Sequence, residues 1–345
     1  MFFKRLSLTL VSVVSLSVIA LSLFAKFTDT EISLPFINSG PYSSLTGLEG
    51  VDGPVLVVKI DDTTFAHPQV GLKNADVVYI EQVEGGLTRL AAVFSSSIPQ
   101  VVGPVRSARI SDIELLSQYG KVAFSYSGAQ RKLLPIIASA NLYDVGANKY
   151  GAAFYANDPA RIAPYAMMVK VPELLAEAKT RGVTPVVASS MGWTFGSAPK
   201  TLVPIESAHI SWPASSYDAT WSAEEDRWLL THNGNNNTDE TGYTLGPKTF
   251  IIQMVSITDS EFKDKVGGVT PFSATVGNGK CYLLRNGGYA PCLWSRASQE
   301  MGTTFTDLLG NVLTFEKGQI WFALTSKEPV FTASSLQDAT KSASK

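Results

Sequence analysis

The sequence predicts an α+β protein in which a mixed α/β first domain is followed by a mainly β second domain. Three observations lead there. Apolar, β-branched runs such as Val55–Ile60 alternate with helical windows in the first half of the chain. After about residue 200 helical windows nearly vanish, and aromatic and β-branched runs alternate with turn residues. Of 345 residues, 45% are hydrophobic and 17% charged, which is enough apolar material for a large core and too little charge for disorder.

The chain opens with Lys4 and Arg5, and Leu6–Ala25 then carries no charge. As a helix those residues would span about 30 Å, the thickness of one hydrocarbon core. Positive charge precedes the span, so the N-terminus stays inside and the bulk of the chain lies outside. Residues 1–26 therefore read as an uncleaved membrane anchor. The rival reading is a signal peptide with Leu6–Ser17 as its apolar region and Val18-Ile19-Ala20 as its cleavage site, which would release the protein. The expected location is the extracytoplasmic face of the cell membrane, with Leu6–Ala25 as the membrane contact.

Residues 27–53, rich in Ser, Thr, Gly and Pro, read as a tether. The first domain is placed at 54–200, the second at 201–330, and a loose tail from Phe331 onward. With 28 Lys+Arg against 30 Asp+Glu, the net charge is -2, so nucleic acid is not an expected partner.

In the first domain Val55–Ile60, Asp76–Glu84, Leu87–Ser95 and Val122–Ser127 read as strands. Ser111-Asp112-Ile113-Glu114 is a capping box for a helix that Gly120 closes, Arg131–Ala140 is helical, and Pro172 opens a further helix over Glu173–Arg181. Residues 184–216 show no sustained period and hold the domain boundary. Beyond it, Trp228–Thr231, Thr249–Ser256, Lys280–Leu284, Pro291–Trp294 and Ile320–Leu324 read as strands.

The only cysteines are Cys281 and Cys292, and Asn286-Gly287 between them signals a type I′ hairpin. A two-residue turn there pairs 285 with 288, 283 with 290 and 281 with 292. The two cysteines land opposite each other on one face, which favours a disulfide outside the cytoplasm. The alternation makes 281–292 a hydrogen-bonded, wider pair, so two buried thiols remain the alternative.

A second hairpin is expected at Gly85-Gly86. A two-residue turn would pair 84 with 87 and Gln82 with Arg89, place Glu84 and Arg89 on one face, and set Glu81 opposite Leu90. A carboxylate in such apolar company needs a partner. Gly103-Pro104-Val105-Arg106-Ser107-Ala108-Arg109 then brings two arginines to a helix N-terminus, the end already carrying partial positive charge. Their partner is either internal, among Asp61, Asp62, Glu81 and Glu84, or an external anion held by arginine forks.

Other constellations are thin. His67, His209 and His232 show no metal-like spacing, so no metal and no cofactor are expected. The alternating Asn233, Asn235, Asn237 and Asp239 lack the glycine and final Glu of a calcium loop. Trp294-Ser295-Arg296 offers a ring beside a guanidinium, suited to a sugar or an anion if exposed and to a core if not.

The stretches Ala75-Asp76-Val77-Val78-Tyr79-Ile80-Glu81, Val83-Glu84-Gly85-Gly86-Leu87-Thr88-Arg89 and Gly103–Arg109 resemble the YerB-like family of bacterial envelope lipoproteins. So do Thr238-Asp239-Glu240-Thr241-Gly242, Gly277-x-Gly279-Lys280, Trp294-Ser295-Arg296 and Gly318-Gln319-x-Trp321. The resemblance covers roughly residues 50–326 with both domains in order. It implies an extracytoplasmic, membrane-attached protein of two family-specific domains and no established activity. Two segments depart from the family pattern. Ala163-Pro164-Tyr165-Ala166 stands where Ala-Pro-His-Asn is usual, and Tyr126-Ser127-Gly128-Ala129-Gln130 where His-x-Gly-Gly-Ser is usual. The lipid-bearing cysteine is replaced by the apolar span.

The functional expectation is a membrane-anchored envelope protein that binds an anionic or saccharide cell-wall ligand, or a wall-synthesis partner, without catalysis. The expected binding residues are Asp61, Glu81, Glu84, Arg89, Arg106, Arg109, Trp294 and Arg296. The alternative is an enzyme acting on wall glycan or peptide through paired carboxylates such as Asp61 with Glu81 or Glu84.

Overall fold

Residues 42–334 are described by a computed structural model; the apolar span at 6–25 and the last eleven residues lie outside it. Fifteen strands join one sheet. They are β1 (Leu56–Asp61), β2 (Val77–Gln82), β3 (Thr88–Phe94), β4 (Val122–Ser125), β5 (Leu142–Asp144), β6 (Val203–Ser211), β7 (Ser216–Ser222), β8 (Arg227–His232), β9 (Asn235–Asn236), β10 (Thr249–Met254), β11 (Gly277–Arg285), β12 (Gly288–Arg296), β13 (Thr304–Thr306), β14 (Ile320–Thr325) and β15 (Val330–Ala333). Four short helices accompany them: α1 (Ile110–Ser117), α2 (Leu134–Ser139), α3 (Ala147–Tyr150) and α4 (Val171–Thr180). The described residues are thus mostly strand with few helices, and the first half is more β than the expected α/β mixture.

The sheet runs β9-β8-β7-β6-β12-β11-β10-β14-β2-β3-β1-β4-β5, with β13 beside β12 and β15 beside β6. β14, from the end of the chain, lies parallel to both β10 and β2 and so joins the two halves in one sheet. Every residue of β14, β1 and β3 is buried, as expected for central strands covered on both faces. One face packs Val58, Ile60, Val78, Ile80 and Leu90 against Trp212, Tyr217 and Trp228. The other packs Val57, Tyr79 and Val93 against α1 through Leu115 and Leu116.

Several expectations need correction. The Gly85-Gly86 connection is a five-residue loop closed by a 3₁₀ turn, so Glu81 pairs with Arg89 and Gln82 with Thr88. A one-residue change in register turns each side chain's partner set over. Gly86 sits at φ +74°, and a Cβ there would lie 2.4 Å from Pro213 Cβ, so the loop docks where only glycine fits. Helix α1 is capped at Arg109, whose N–H donates to Asp112 Oδ2 at 2.6 Å. Ser111 and Glu114, read as the capping box, instead accept from the backbone N–H groups of Ser273 and of Thr275 and Val276. β6 and β7 occupy and border a stretch read as irregular, because a bulge between Ile205 and Ser207 breaks the alternation of β6. Residues 42–53 pack onto the body rather than hanging as a tether, with Leu45 fully buried. Phe331–Ala333, placed in the tail, pair with β6.

The cysteine hairpin keeps its expected register: Arg285 pairs with Gly288 and Cys281 with Cys292. The two cysteines form a disulfide with Cα atoms 4.7 Å apart. Among the described residues no helix is long and apolar enough to cross a membrane.

Candidate functional site

The chemistry gathers at one end of β1, where Leu-Val-Val-Lys-Ile-Asp-Asp carries charge out of an otherwise apolar run. Alternation along the strand sends Lys59 and Asp61 to the α1 face and Asp62 to the other. Each face then builds its own cluster.

On the α1 face, Lys59 is fully buried and its Nζ lies 2.6 Å from both Glu81 Oε1 and Asp112 Oδ1. Burial, only partly offset by Lys59 and reinforced by Asp112, pushes the Glu81 carboxyl up to about 7. Arg109 grips Glu84 Oε2 with Nε at 2.9 Å and Nη2 at 2.7 Å, and Thr270 donates to the other carboxylate oxygen. Burial would raise the Glu84 carboxyl, but Arg109 and the Thr270 hydroxyl outweigh it and hold the group below its usual range.

Arg89 sits opposite both Asp61 and Glu81 in the sheet and donates from Nη1 to Ser107 O at 2.9 Å. Burial, followed by repulsion from Arg109 and Arg106, presses its guanidinium down to about 9. The arginines at the head of α1 thus have internal partners, and Arg109, Glu84, Glu81 and Arg89 are sealed in.

Arg106 differs. Its Nε lies 2.6 Å from Asp61 Oδ2, its side chain is 24% exposed, and its two terminal nitrogens make no hydrogen bond to any described residue. The guanidinium lies 5.7 Å from the centre of the Tyr165 ring. Tyr165 in turn stands 5.5 Å from Phe65, and both rings line an open cleft of about 640 Å³ together with His67, Pro68, Arg161 and Ile162. Arg161 braces that cleft by donating to Ala66 O at 2.9 Å and Pro68 O at 2.6 Å, with Nε 3.2 Å from Asp158.

Both segments that depart from the family pattern flank this place. Tyr165 is in the cleft wall, and the backbone around Tyr126 clasps the arginine segment through Ser127 N to Arg106 O at 3.0 Å and Ala108 N to Gly128 O at 2.9 Å.

On the opposite face, Asp62 accepts from Tyr217 Oη at 2.6 Å, Thr88 Oγ1 at 2.5 Å and Gln69 Nε2 at 3.3 Å. His67 and His232 stack with ring centres 4.6 Å apart, and their Nε2 atoms stand 3.4 and 3.7 Å from Asp62 oxygens. Burial would raise the Asp62 carboxyl, but His232, His67 and the Thr88 hydroxyl together hold it below its usual range.

Sequence reasoning missed this second cluster, since His67 and His232 meet only because β8 folds against the end of β1. For the α1-face cluster a legible signal was Lys59, a cation in the middle of a buried strand, which requires nearby carboxylates. Trp294 and Arg296 do not join the site. Trp294 is buried with Nε1 donating to Met254 O at 2.9 Å. Arg296 is 1% exposed and donates to Thr275 Oγ1, Glu114 O and Met301 O at 2.7–3.0 Å, tying α1 to β12.

Residues 45–184 match the N-terminal domain of the protein family of unknown function DUF3048, and residues 208–322 match its C-terminal domain. Over 83 residues the chain is 39% identical to the lipoprotein candidate YerB of Bacillus subtilis (strain 168). That match covers 23% of this chain and spans only 25% of that relative's length. The crystal structure of YerB from Bacillus subtilis superposes with a TM-score of 0.71 at 19% identity, covering 84% of this chain and 99% of that one, which establishes a shared fold. Both family domains are thus present in order over one continuous sheet, and the chain belongs to the DUF3048 family, whose function is unknown.

Proposed function

We propose that this protein is an extracytoplasmic, membrane-attached envelope protein whose cleft beside Arg106 binds an anionic or saccharide cell-wall ligand without catalysis. The observation that carries this reading is the contrast among the arginines. Arg109 and Arg89 are buried, whereas Arg106 is 24% exposed, its terminal nitrogens have no hydrogen bond to any described residue, and its guanidinium lies 5.7 Å from the Tyr165 ring, which stands beside Phe65. Rings of that kind stack on sugar faces, and a guanidinium fork recognises carboxylate or phosphate in two-point fashion. The location rests on the apolar span at 6–25, on the kinship with a lipoprotein candidate, and on a disulfide, which persists in oxidising compartments.

The carboxylate-enzyme alternative finds no support in the geometry. Glycoside chemistry needs two available carboxyls roughly 5–9.5 Å apart beside a cleft. Asp61, Glu81 and Glu84 are each engaged with a cation and buried.

Equilibrium binding of charged and neutral wall fragments to the full-length chain tests the proposal. Fragments carrying carboxylate or phosphate should bind at least about tenfold more weakly to Arg106→Ala, the loss of roughly one charge-assisted hydrogen bond. Undiminished binding by that variant contradicts the site. Binding only of a wall-synthesis protein, with no fragment retained, contradicts the ligand class.

A further inference from the structure

Three potential ligands converge on a point beside the cleft, which His67 helps to line. Asp62, His67 and His232 each present one donor atom, and all of these atoms lie within 4.8 Å of one another. The Nε2 atoms of His67 and His232 stand 3.4 and 3.7 Å from the two Asp62 oxygens. Those separations are long for nitrogen–oxygen hydrogen bonds, which favour roughly 2.7–3.2 Å. They are close to the edge of a tetrahedron whose centre is bonded at about 2.0–2.1 Å, roughly 3.3–3.4 Å.

A second, independent feature points at the same place. Gln69 is fully buried, its Nε2 stands 3.1 Å from His67 Nε2 and 3.3 Å from Asp62 Oδ1, and its Oε1 has no hydrogen-bond partner. That Nε2 also donates to Asp61 O at 3.4 Å, and turning the amide over would exchange this bond for an oxygen presented to the point shared by His67 and Asp62.

We propose that Asp62, His67 and His232, with Gln69 Oε1 as a fourth ligand, bind a first-row divalent transition-metal ion such as zinc. Two imidazoles and a carboxylate suit that class, whereas calcium and magnesium prefer all-oxygen shells. The outer support is already built. Tyr217 and Thr88 orient Asp62, and Ser215 contacts His232 Nε2 at 3.1 Å and Thr88 Oγ1 at 2.9 Å. Since Ser215 can shift its hydroxyl to Thr88, releasing Nε2 leaves no polar group stranded. His67 is 16% exposed and lines the cleft, so a bound ion keeps an approach from solvent. The inference stands apart from the wall-ligand reading, because it needs neither Arg106 nor any anionic ligand.

The test is calorimetric titration of the chelator-stripped full-length chain with zinc chloride, paired with cobalt(II) absorption to read coordination number. One ion per chain is expected, with the low-coordinate cobalt bands of a mixed nitrogen–oxygen site. His67→Ala, at the partly open position, should fold normally and bind at least about a hundredfold more weakly. Tyr217→Phe, which removes only the support of Asp62, should weaken binding about 10–100-fold. Arg106→Ala should bind zinc as the native chain does, whatever becomes of wall-fragment binding. His209→Ala, on the surface pair with Asp218 at 2.7 Å, should also change nothing. No uptake by the native chain, uptake unaffected by His67→Ala, or uptake abolished by His209→Ala would each overturn the proposal.

Discussion

The two faces of β1 end in clusters of opposite character. On the α1 face, four cations and four carboxylates are packed together: Lys59, Arg89, Arg106 and Arg109 with Asp61, Glu81, Glu84 and Asp112. Nearly all of that charge is internal and inaccessible, and only Arg106 reaches out. On the other face, one charged carboxylate is held by hydroxyls and an amide beside two imidazoles, and the cluster opens through His67 onto a cleft. The contrast teaches that charge density alone does not mark a site. A buried ion layer that neutralises itself fixes geometry, while a sparse, partly open cluster retains unused valence.

The sharpest way to break this comparison is to remove the centre of the ion layer. Lys59→Ala strands Glu81 and Asp112 without a cation, and a loss of about 3–5 kcal/mol is expected in denaturant unfolding. Arg109→Ala should cost about 2–3 kcal/mol, because Glu84 loses both arginine contacts yet keeps its Thr270 bond. Arg106→Ala should cost less than Arg109→Ala, about 1–2 kcal/mol, because Asp61 is buried but keeps the Thr63 N–H at Oδ1 and Arg89 opposite it in the sheet. Equal costs for the two arginines would erase the distinction between structural and available cations.

The faces should also respond to pH with opposite sign. Glu81 holds its proton more tightly folded than unfolded, so its contribution is fully present below about 4.5 and is lost as pH rises through about 7. Glu81→Gln should therefore gain on the native chain across that window. His232 is depressed, so its contribution is present above the unfolded value near 6.5 and is lost as pH falls below it. His232→Gln should gain on the native chain on acidification. Parallel difference curves for the two variants, from unfolding at a series of pH values, would contradict the assignment. The smallest effect belongs to His209→Ala on the exposed rim of β6, within about 0.5 kcal/mol of the native chain.

What was legible followed local rules. Asn286-Gly287 fixes the count of a two-residue hairpin, so the register from Arg285–Gly288 to Cys281–Cys292 could be written from sequence. Gly85-Gly86 looked alike but closes a five-residue loop against Pro213, and the shift re-paired Glu81 with Arg89. The cations around Glu81 were anticipated in kind, since a carboxylate among Ile80, Val83 and Leu90 demands one, yet Lys59 itself was passed over. The union of the halves through β14 beside β2 left no trace, because parallel pairing across more than two hundred residues imposes no spacing. The same non-local contact, on the other side of the sheet, brings His232 to Asp62 and hides that cluster from any motif search.

The most direct test of the central claim is thermal unfolding of the full-length chain with wall-polymer and glycan fragments, in native, Arg106→Ala and Arg109→Ala forms. A ligand at 100 times its Kd adds about 2.7 kcal/mol, which moves the midpoint of a chain this size by several degrees. The account predicts that an anionic fragment raises the native midpoint and still raises that of Arg109→Ala from its lower baseline. It leaves Arg106→Ala, at its own moderately lowered midpoint, unmoved. A shift that survives in Arg106→Ala and disappears in Arg109→Ala would contradict it.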